Sequence, residues 1–234
     1  CCTRLDSRVL LVGTGQSALT STASLGRLQA RFGVKVSLSD ADVERVTRQT
    51  VLAKKPERIG DIKKQAIEAN QGEISRHLQN TRLASSLSDE PYYAFDYPLL
   101  PVRRRFWEHA LRAVDVPGTT AQLRTQLRIV YDAIKDIAES PIGTVVPADF
   151  IFEQQQAILL QSGSLLRRID EMVRELDDGT ADGKLARRLC GLIFLIRKLP
   201  HEAVADIGVR ATPDMLADLL VSDLVHDGAT LRRE

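Results

Sequence analysis

The chain has 234 residues, of which 44% are hydrophobic and 27% are charged, so it can bury a sizeable core in one large or two small domains. Because its formal net charge is only +1, no global field draws it to DNA or to an anionic membrane. The longest apolar run, CGLIFLI at residues 190–196, is far shorter than the roughly 20 residues that span a bilayer. Three cysteines do not make a disulfide framework. We therefore expect a cytoplasmic protein without a membrane span and, since the chain lacks an initiating Met, a fragment of a longer one.

The stretch RVLLVGTGQSAL at residues 8–19 has the form of a nucleotide-binding turn. Its apolar run at 8–12 predicts a short strand that ends in a Gly-Thr-Gly turn, and a helix-like segment follows. A second strand is predicted at 34–38, where VKVSL alternates apolar and polar side chains. No further strand is predicted after Leu38.

Three interpretations of this turn compete. As a Rossmann turn, Gly13, Gly15 and Ala18 fit G-x-G-x-x-A, but Asp40 lies farther along than the roughly 20 residues expected for a ribose-binding acid, and a doubly wound sheet needs more strands. As a phosphate loop, it lacks the lysine, because TGQSALTS follows Gly13. As a later strand of an AAA+-type P-loop ATPase, it would end in a polar sensor, followed by a final strand, a helical lid and arginines that reach the phosphates. The third interpretation fits the order of the predicted elements best.

Four residues near the turn are candidates for chemistry under this interpretation. Thr14 and Gln16 would be a sensor pair that hydrogen-bonds a water molecule or a phosphate oxygen. Arg27 and Arg31 precede the second strand, where an arginine finger would offset charge on a phosphoryl group in a neighbouring subunit. For Thr14 and Gln16 the alternative is an ordinary polar turn, and for Arg27 and Arg31 it is a solvated helix face.

Helices are predicted for most of the remaining chain. Capped or amphipathic patterns cover 39–52, 61–69 and 72–79, with breaks at Gly60 and Gly72. Residues 84–101 hold three of the nine prolines and three of the four tyrosines, which predicts a connector.

The next helix is expected to begin after Pro101, and it carries the arginines of interest. Arg103, Arg104 and Arg105 open it, with Arg103 and Arg104 placed away from its apolar stripe. A helix N-terminus favours anions, so three arginines in the first turns are unfavourable there unless they bind an anion. A nucleotide phosphate or a DNA backbone would be such an anion. Arg103 and Arg104 are therefore candidate nucleotide-binding residues, with surface ion pairing as the alternative. The expected stripe comprises Phe106, Trp107, Ala110, Leu111 and Val114.

Three later helices are predicted by apolar residues that recur at spacings of three and four. Such short stripes are typical of a packed helical bundle and not of a long coiled coil. They are Leu123, Leu127, Val130, Ile134 and Ile137, then Leu165, Ile169, Met172 and Leu176, then Leu185, Leu189, Leu192, Ile196 and Leu199.

The C-terminal segment predicts a helix capped at Thr212, a turn at Asp227-Gly228 and the start of another helix. This order is typical of a helix-turn-helix over 184–234, in which Arg232 and Arg233 would contact DNA phosphates. A winged-helix-like packing module is the alternative. The four histidines lack the spacing of metal ligands, so no metal site is predicted.

Four long segments resemble one protein family. DYPLLPVRRRFWEHALRAV, QLRTQLRIVYDAIKDIAESPIGTVVPADFIFEQ, RLCGLIFLIRKLP and IGVRATPDMLADLLVSDLV are similar to the large P-loop ATPase of BREX bacteriophage-exclusion systems, the BrxC or PglY family. The resemblance implies part of an ATPase that uses ATP and Mg and works with a DNA methyltransferase and other BREX proteins against phage DNA, with DNA contact and homo-oligomers as further implications. The family's phosphate loop and acidic magnesium motif are absent from this sequence, so we expect this chain alone to need no cofactor and to hydrolyse no ATP.

These patterns together predict a mainly α fold in three parts. Residues 1–38 would be a short parallel-strand remnant of an AAA+-like P-loop ATPase core, 39–100 a helical lid and connector, and 101–234 a helical bundle that ends in a winged-helix-like segment. The expected function is to couple the ATP state to assembly on DNA or partner proteins. A non-catalytic helical scaffold for protein interaction and a Rossmann dinucleotide-binding fragment are the alternatives.

Overall fold

The computed structural model describes residues 12–13, 31–34, 44–114 and 122–233. The chain divides into two compact units, Cys1–Ser39 and Asp40–Glu234, and nearly all described residues belong to the second. Thr14, Gln16, Arg27 and the predicted strands, apart from the exposed Val12 and Val34, lie outside the described residues. Arg31 is described and exposed.

The second unit is mainly helical, as predicted. A helical stretch over residues 44–51 ends in a π-helical segment at Thr47–Val51. The following helices are α1 (Pro56–Asp61), a π-helical segment (Ile62–Ile67), a 3-10 turn (Glu68–Asn70), α2 (Gln71–Arg76), a 3-10 helix (Leu87–Tyr92), α3 (Tyr93–Asp96), α4 (Pro101–Val114), α5 (Gln122–Asp136), α6 (Phe150–Gln161), α7 (Arg167–Glu175), α8 (Ala181–Lys198), α9 (Pro213–Leu220) and α10 (Asp227–Leu231). Within the described ranges, extended pairing is limited to an isolated antiparallel bridge between Thr144 and Asp223.

The predicted breaks at Gly60 and Gly72 are wrong. Gly60 lies inside α1 and Gly72 inside α2, and the backbone stays helical from Pro56 to Arg76. A glycine inside a helix costs only about 1 kcal/mol relative to alanine. Burial of an apolar face that includes Ile62 offsets that cost.

The predicted connector at 84–101 contains helical structure of its own. Ser86 and Asp89 form a reciprocal capping box that starts the 3-10 helix, and the backbone N–H of Gly143 donates to the hydroxyl of Tyr97 at 3.1 Å. The tyrosine and proline content therefore predicted a loop, whereas the structure has short helices there, held by side-chain hydrogen bonds.

The core lies where α4, α6, α8 and α9 pack together. The predicted α4 stripe is confirmed, since all five of its side chains are buried. The α8 stripe is also confirmed, with Leu192, Ile196 and Leu199 buried. Gly191 permits the approach of α6, because a Cβ there would lie 2.7 Å from Phe152 Cδ1.

The burial predicted for the apolar stripe of α7 and its flanking residues is wrong for three of its four members. Leu165 is buried, but Ile169, Met172 and Leu176 are exposed, and Asp170 is the residue of α7 that is buried. A side-chain pair with α6 sets this rotation of the helix, since Gln156 donates to Asp170.

The C-terminal segment follows the prediction in part. Thr212 caps α9, because its Oγ1 accepts from the backbone N–H of Met215 at 3.4 Å. The predicted turn at Asp227-Gly228 is wrong, since α10 begins there and the Asp227 carboxylate accepts from the backbone N–H groups of Ser222 and Asp223. None of the helices in the described part of the chain combines the length and the apolar character needed to cross a membrane.

Candidate functional site

Pro101 starts α4 and thereby places three consecutive arginines in its first turn and a half. The sequence places Arg103 and Arg104 on the face away from the apolar stripe. For Arg103 this is wrong, because its side chain is fully buried. The three guanidinium groups point to three different sets of partners, all within the protein.

Arg103 lies at the centre of the core. Its Nη1 donates to the carbonyl oxygen of Val146 at 2.6 Å and its Nη2 to the carbonyl oxygen of Asp218 at 3.3 Å. Burial lowers the pKa of this guanidinium to about 10, opposed by the carboxylates of Asp149 and Asp218. It therefore remains charged at neutral pH, and those carboxylates compensate a charge that would otherwise be costly to bury.

Arg104 and Arg105 pair with carboxylates of neighbouring segments. Arg104 contacts Glu44 Oε1 at 2.6 Å and Glu108 Oε1 at 2.9 Å. Arg105 makes a bidentate pair with Asp89 at 2.8 and 2.9 Å and also donates to the carbonyl oxygen of Leu83. In the structure, these two guanidinium groups pair with carboxylates of the protein itself. Whether Arg103 or Arg104 also contacts a nucleotide stays a prediction.

A second arginine, the half-buried Arg188, contacts the same region from α8. Arg188 makes a bidentate pair with Asp149 at 2.7 and 3.0 Å and donates to the carbonyl oxygen of Leu220 at 3.1 Å. Trp107 Nε1 donates to the carbonyl oxygen of Ala148 at 2.9 Å. We call Arg103, Trp107, Asp149 and Arg188 the arginine junction. It joins α4, the start of α6, α8 and α9 through polar contacts.

Glu73, His77 and Asp218 form a polar cluster beside the arginine junction. Their ligand atoms all lie within 4.8 Å of one another. His77 Nε2 is 3.2 Å from Glu73 Oε1, and Asp218 Oδ2 accepts from the backbone N–H of Leu78 at 2.9 Å. Arg232 contacts Glu73 Oε1 at 3.1 Å and also pairs with Asp218.

The cluster has a distinct electrostatic balance. The hydrogen bond from His77 and the pair with Arg232 lower the pKa of Glu73 to about 2, against the effect of burial. Burial lowers the pKa of His77, so the imidazole is neutral at pH 7. Its Nδ1 finds no hydrogen-bond partner among the described residues.

Two carboxylates and an imidazole are a ligand set that suits zinc and similar cations. In this structure, however, the cation that neutralises the carboxylates is the guanidinium of Arg232. The sequence pattern does not reveal this cluster, because Asp218 is far from Glu73 and His77 along the chain. The available signal was the spacing of Glu73 and His77, four residues apart at the end of α2.

The two C-terminal arginines differ in their contacts. Arg232 is held by Glu73 and Asp218, whereas Arg233 is exposed and its Nε donates to the carbonyl oxygen of Ala229 at 3.1 Å. A DNA contact through this segment would therefore depend mainly on Arg233.

Two cavities border these residues. A cleft of about 330 Å³ is lined in part by Asp136, Asp149, Glu153 and Arg188. Its three carboxylates outnumber its single guanidinium, so it disfavours a triphosphate. The cavity beside Arg104 has a volume of about 20 Å³, which is room for about one water molecule and far too little for a nucleotide.

No protein-family model matches the chain, and no solved structure matches it. The resemblance to the BREX ATPase family is therefore carried by the four sequence segments alone.

Proposed function

We propose that this chain is part of an AAA+-like ATPase of a bacterial BREX phage-defence system and that its helical unit transmits the ATP state to assembly on DNA or partner proteins. The phosphate loop and magnesium ligands would come from elsewhere in the ATPase. The sensor and arginine-finger roles of Thr14, Gln16, Arg27 and Arg31 belong to this proposal.

The observation that supports the proposal most is how the four resembling segments pack. Arg103, in the first, donates to Val146 of the second and to Asp218 of the fourth. Arg188, in the third, pairs with Asp149 of the second and donates to Leu220 of the fourth. The four resembling segments thus pack into one unit through these contacts, and contiguous packed elements are what would carry a nucleotide-driven movement.

Arg104 has a specific place in this proposal. It joins α4 to Glu44, which begins the first described helical stretch of the unit. Because the cavity beside it is too small for a nucleotide, we propose that Arg104 acts through Glu44 as a positioning residue. A winged-helix-like or helix-turn-helix role for 184–234 is the DNA-facing part of the same proposal.

The test compares Arg104→Ala with Glu44→Gln in the full-length ATPase. If the pair transmits the ATP state, both variants lower phage protection to a similar degree while the Kd for ATP stays within about twofold, because neither side chain touches nucleotide. Loss of ATP turnover in Arg104→Ala alone would instead identify Arg104 as a lid sensor. Wild-type protection in both variants would contradict the proposed link.

The protein-interaction scaffold is the second candidate, favoured by the occupation of all three α4 arginines by protein groups. Calorimetry on this chain distinguishes the proposed functions by the affinity for ATP and NADH. We expect ATP with Mg to bind no more tightly than about 1 mM, since most phosphate contacts come from a phosphate loop and its metal. Micromolar ATP binding would contradict both candidates, and micromolar NADH binding would favour the Rossmann alternative.

A further inference from the structure

Helix α7 packs with a charged residue inward and its apolar stripe outward. Asp170 is 4% exposed, whereas Ile169, Met172 and Leu176 are 42%, 54% and 41% exposed. The neighbouring Leu166 is 65% exposed. We call Ile169, Met172 and Leu176 the α7 stripe.

Polar contacts fix this orientation. The Asp170 carboxylate accepts from Gln156 of α6 and pairs with Arg174 Nε at 3.0 Å. Turning the helix to bury its stripe would expose Asp170, which is buried, and break its contact with Gln156. A contiguous exposed apolar face on a fixed helix marks a surface that binds another protein.

The charges beside the stripe identify the partner. Arg168 and Glu175 are seven residues apart, so they lie on the same edge of the stripe, almost above one another. Both are exposed, and neither has an ion-pair partner in the described part of the chain. In an antiparallel helix pair, the residues along one edge of a helix face the residues along the equivalent edge of the other helix, which runs in the opposite direction. This edge therefore complements itself, with one positive and one negative end.

We propose that the α7 stripe is the interface of a homodimer. Two copies of α7 would pack antiparallel about a twofold axis that passes between residues 171 and 172. Arg168 of one copy then faces Glu175 of the other, twice per interface, and each Met172 packs near the axis. This proposal does not depend on the ATPase function. Because the helix is short, we expect a dissociation constant in the range of roughly 1 to 100 µM.

The test is sedimentation velocity over a concentration series that spans this range. We expect the wild type to show a monomer–dimer equilibrium. Arg168→Glu and Glu175→Arg should each raise the dissociation constant at least about tenfold, since each change places two like-charge pairs in the interface. The double variant R168E/E175R should restore it to within about threefold of the wild type, because the swapped charges pair again.

The matched control is Arg167→Glu, which makes the same charge change on the opposite face of α7 and should leave the dissociation constant within about twofold. Circular dichroism melts of all variants separate loss of association from loss of folding. A wild type that stays monomeric at the highest concentration would overturn the proposal. So would a double variant no better than the single ones, which would mean that another surface or another occupant is involved.

Discussion

Helices α4 and α7 are both amphipathic, yet the protein uses them in opposite ways. Helix α4 buries its entire apolar stripe and, in addition, the charged Arg103. Helix α7 buries Asp170 and leaves its stripe in solvent. The hydrophobic pattern of a helix thus states which face can be buried, whereas the polar groups on neighbouring elements decide which face is buried.

The difference arises from the partners that each helix meets. Around α4, the loop before α6 and the end of α9 offer carbonyl oxygens that accept from Arg103, and Asp149 and Asp218 supply negative charge nearby. Helix α7 meets Gln156, which binds Asp170. A buried charge is tolerated in both places because it is hydrogen-bonded and compensated. The first and last of the following predictions, for Arg103 and for the α7 stripe, test this contrast directly, and the prediction for Glu73 between them tests a compensated charge elsewhere in the protein.

Arg103→Met should destabilise the protein by about 3 kcal/mol or more. The substitution keeps much of the side-chain volume but leaves the carbonyl oxygens of Val146 and Asp218 without their donor and removes the charge that Asp149 faces. Urea unfolding measures the change in the free energy of unfolding. Arg104→Met is the matched control, for which we expect a smaller loss of about 1 kcal/mol, since its partners Glu44 and Glu108 are partly exposed. Equal losses in the two variants would contradict the special position of Arg103.

The sequence predicted the α4 stripe correctly because five large apolar side chains at helical spacing leave one favourable face. It could not predict the burial of Arg103, since an arginine is buried only where carbonyl and carboxylate groups surround it, and those groups come from residues more than forty positions away. The same limit applies to the stripe of α7. Its spacing predicted that Leu165, Ile169, Met172 and Leu176 are buried together, which is wrong for the last three. The contact between Gln156 and Asp170, which the spacing does not reveal, sets the rotation of the helix.

The second prediction concerns Glu73, whose pKa in the folded protein, about 2, lies below its ordinary value of 4.5. A carboxylate with a depressed pKa stabilises the folded state above its unfolded pKa, and this contribution is lost as the pH falls from about 4.5 towards 2. Because the side chain is partly exposed, we expect a contribution of about 1 to 2 kcal/mol.

Unfolding experiments between pH 7 and pH 2.5 on the wild type and on Glu73→Gln measure this contribution. The stability difference between the two should be largest near neutral pH and should shrink as the pH falls below about 4.5. Glu68→Gln is the control, because Glu68 is exposed and only 3.9 Å from the exposed Lys63. A difference for Glu73→Gln that does not change with pH would show that the pair with Arg232 does not hold Glu73 ionised.

The residues of this cluster also show what sequence reasoning can and cannot find in a site. Glu73 and His77 share a helix face, which their spacing of four indicates. Asp218 and Arg232 join them only because α9 and α10 fold back on the end of α2. Arg232, which the sequence assigned to DNA, is recognised as a structural cation only when those carboxylates are in place.

The smallest effect should come from Met172→Gln. In dilute solution we expect the free energy of unfolding to stay within about 0.5 kcal/mol of the wild type, because the side chain is more than half exposed, no cavity is created, and the two residues have similar helix propensities. At high concentration the two proteins should differ. If the α7 stripe joins two copies, association stabilises the wild type and raises its Tm with protein concentration, whereas the Tm of the variant should stay nearly constant. Scanning calorimetry at several concentrations measures both quantities. A loss of about 2 kcal/mol already in dilute solution would mean that the stripe is covered within the monomer, and the contrast between α4 and α7 would then disappear.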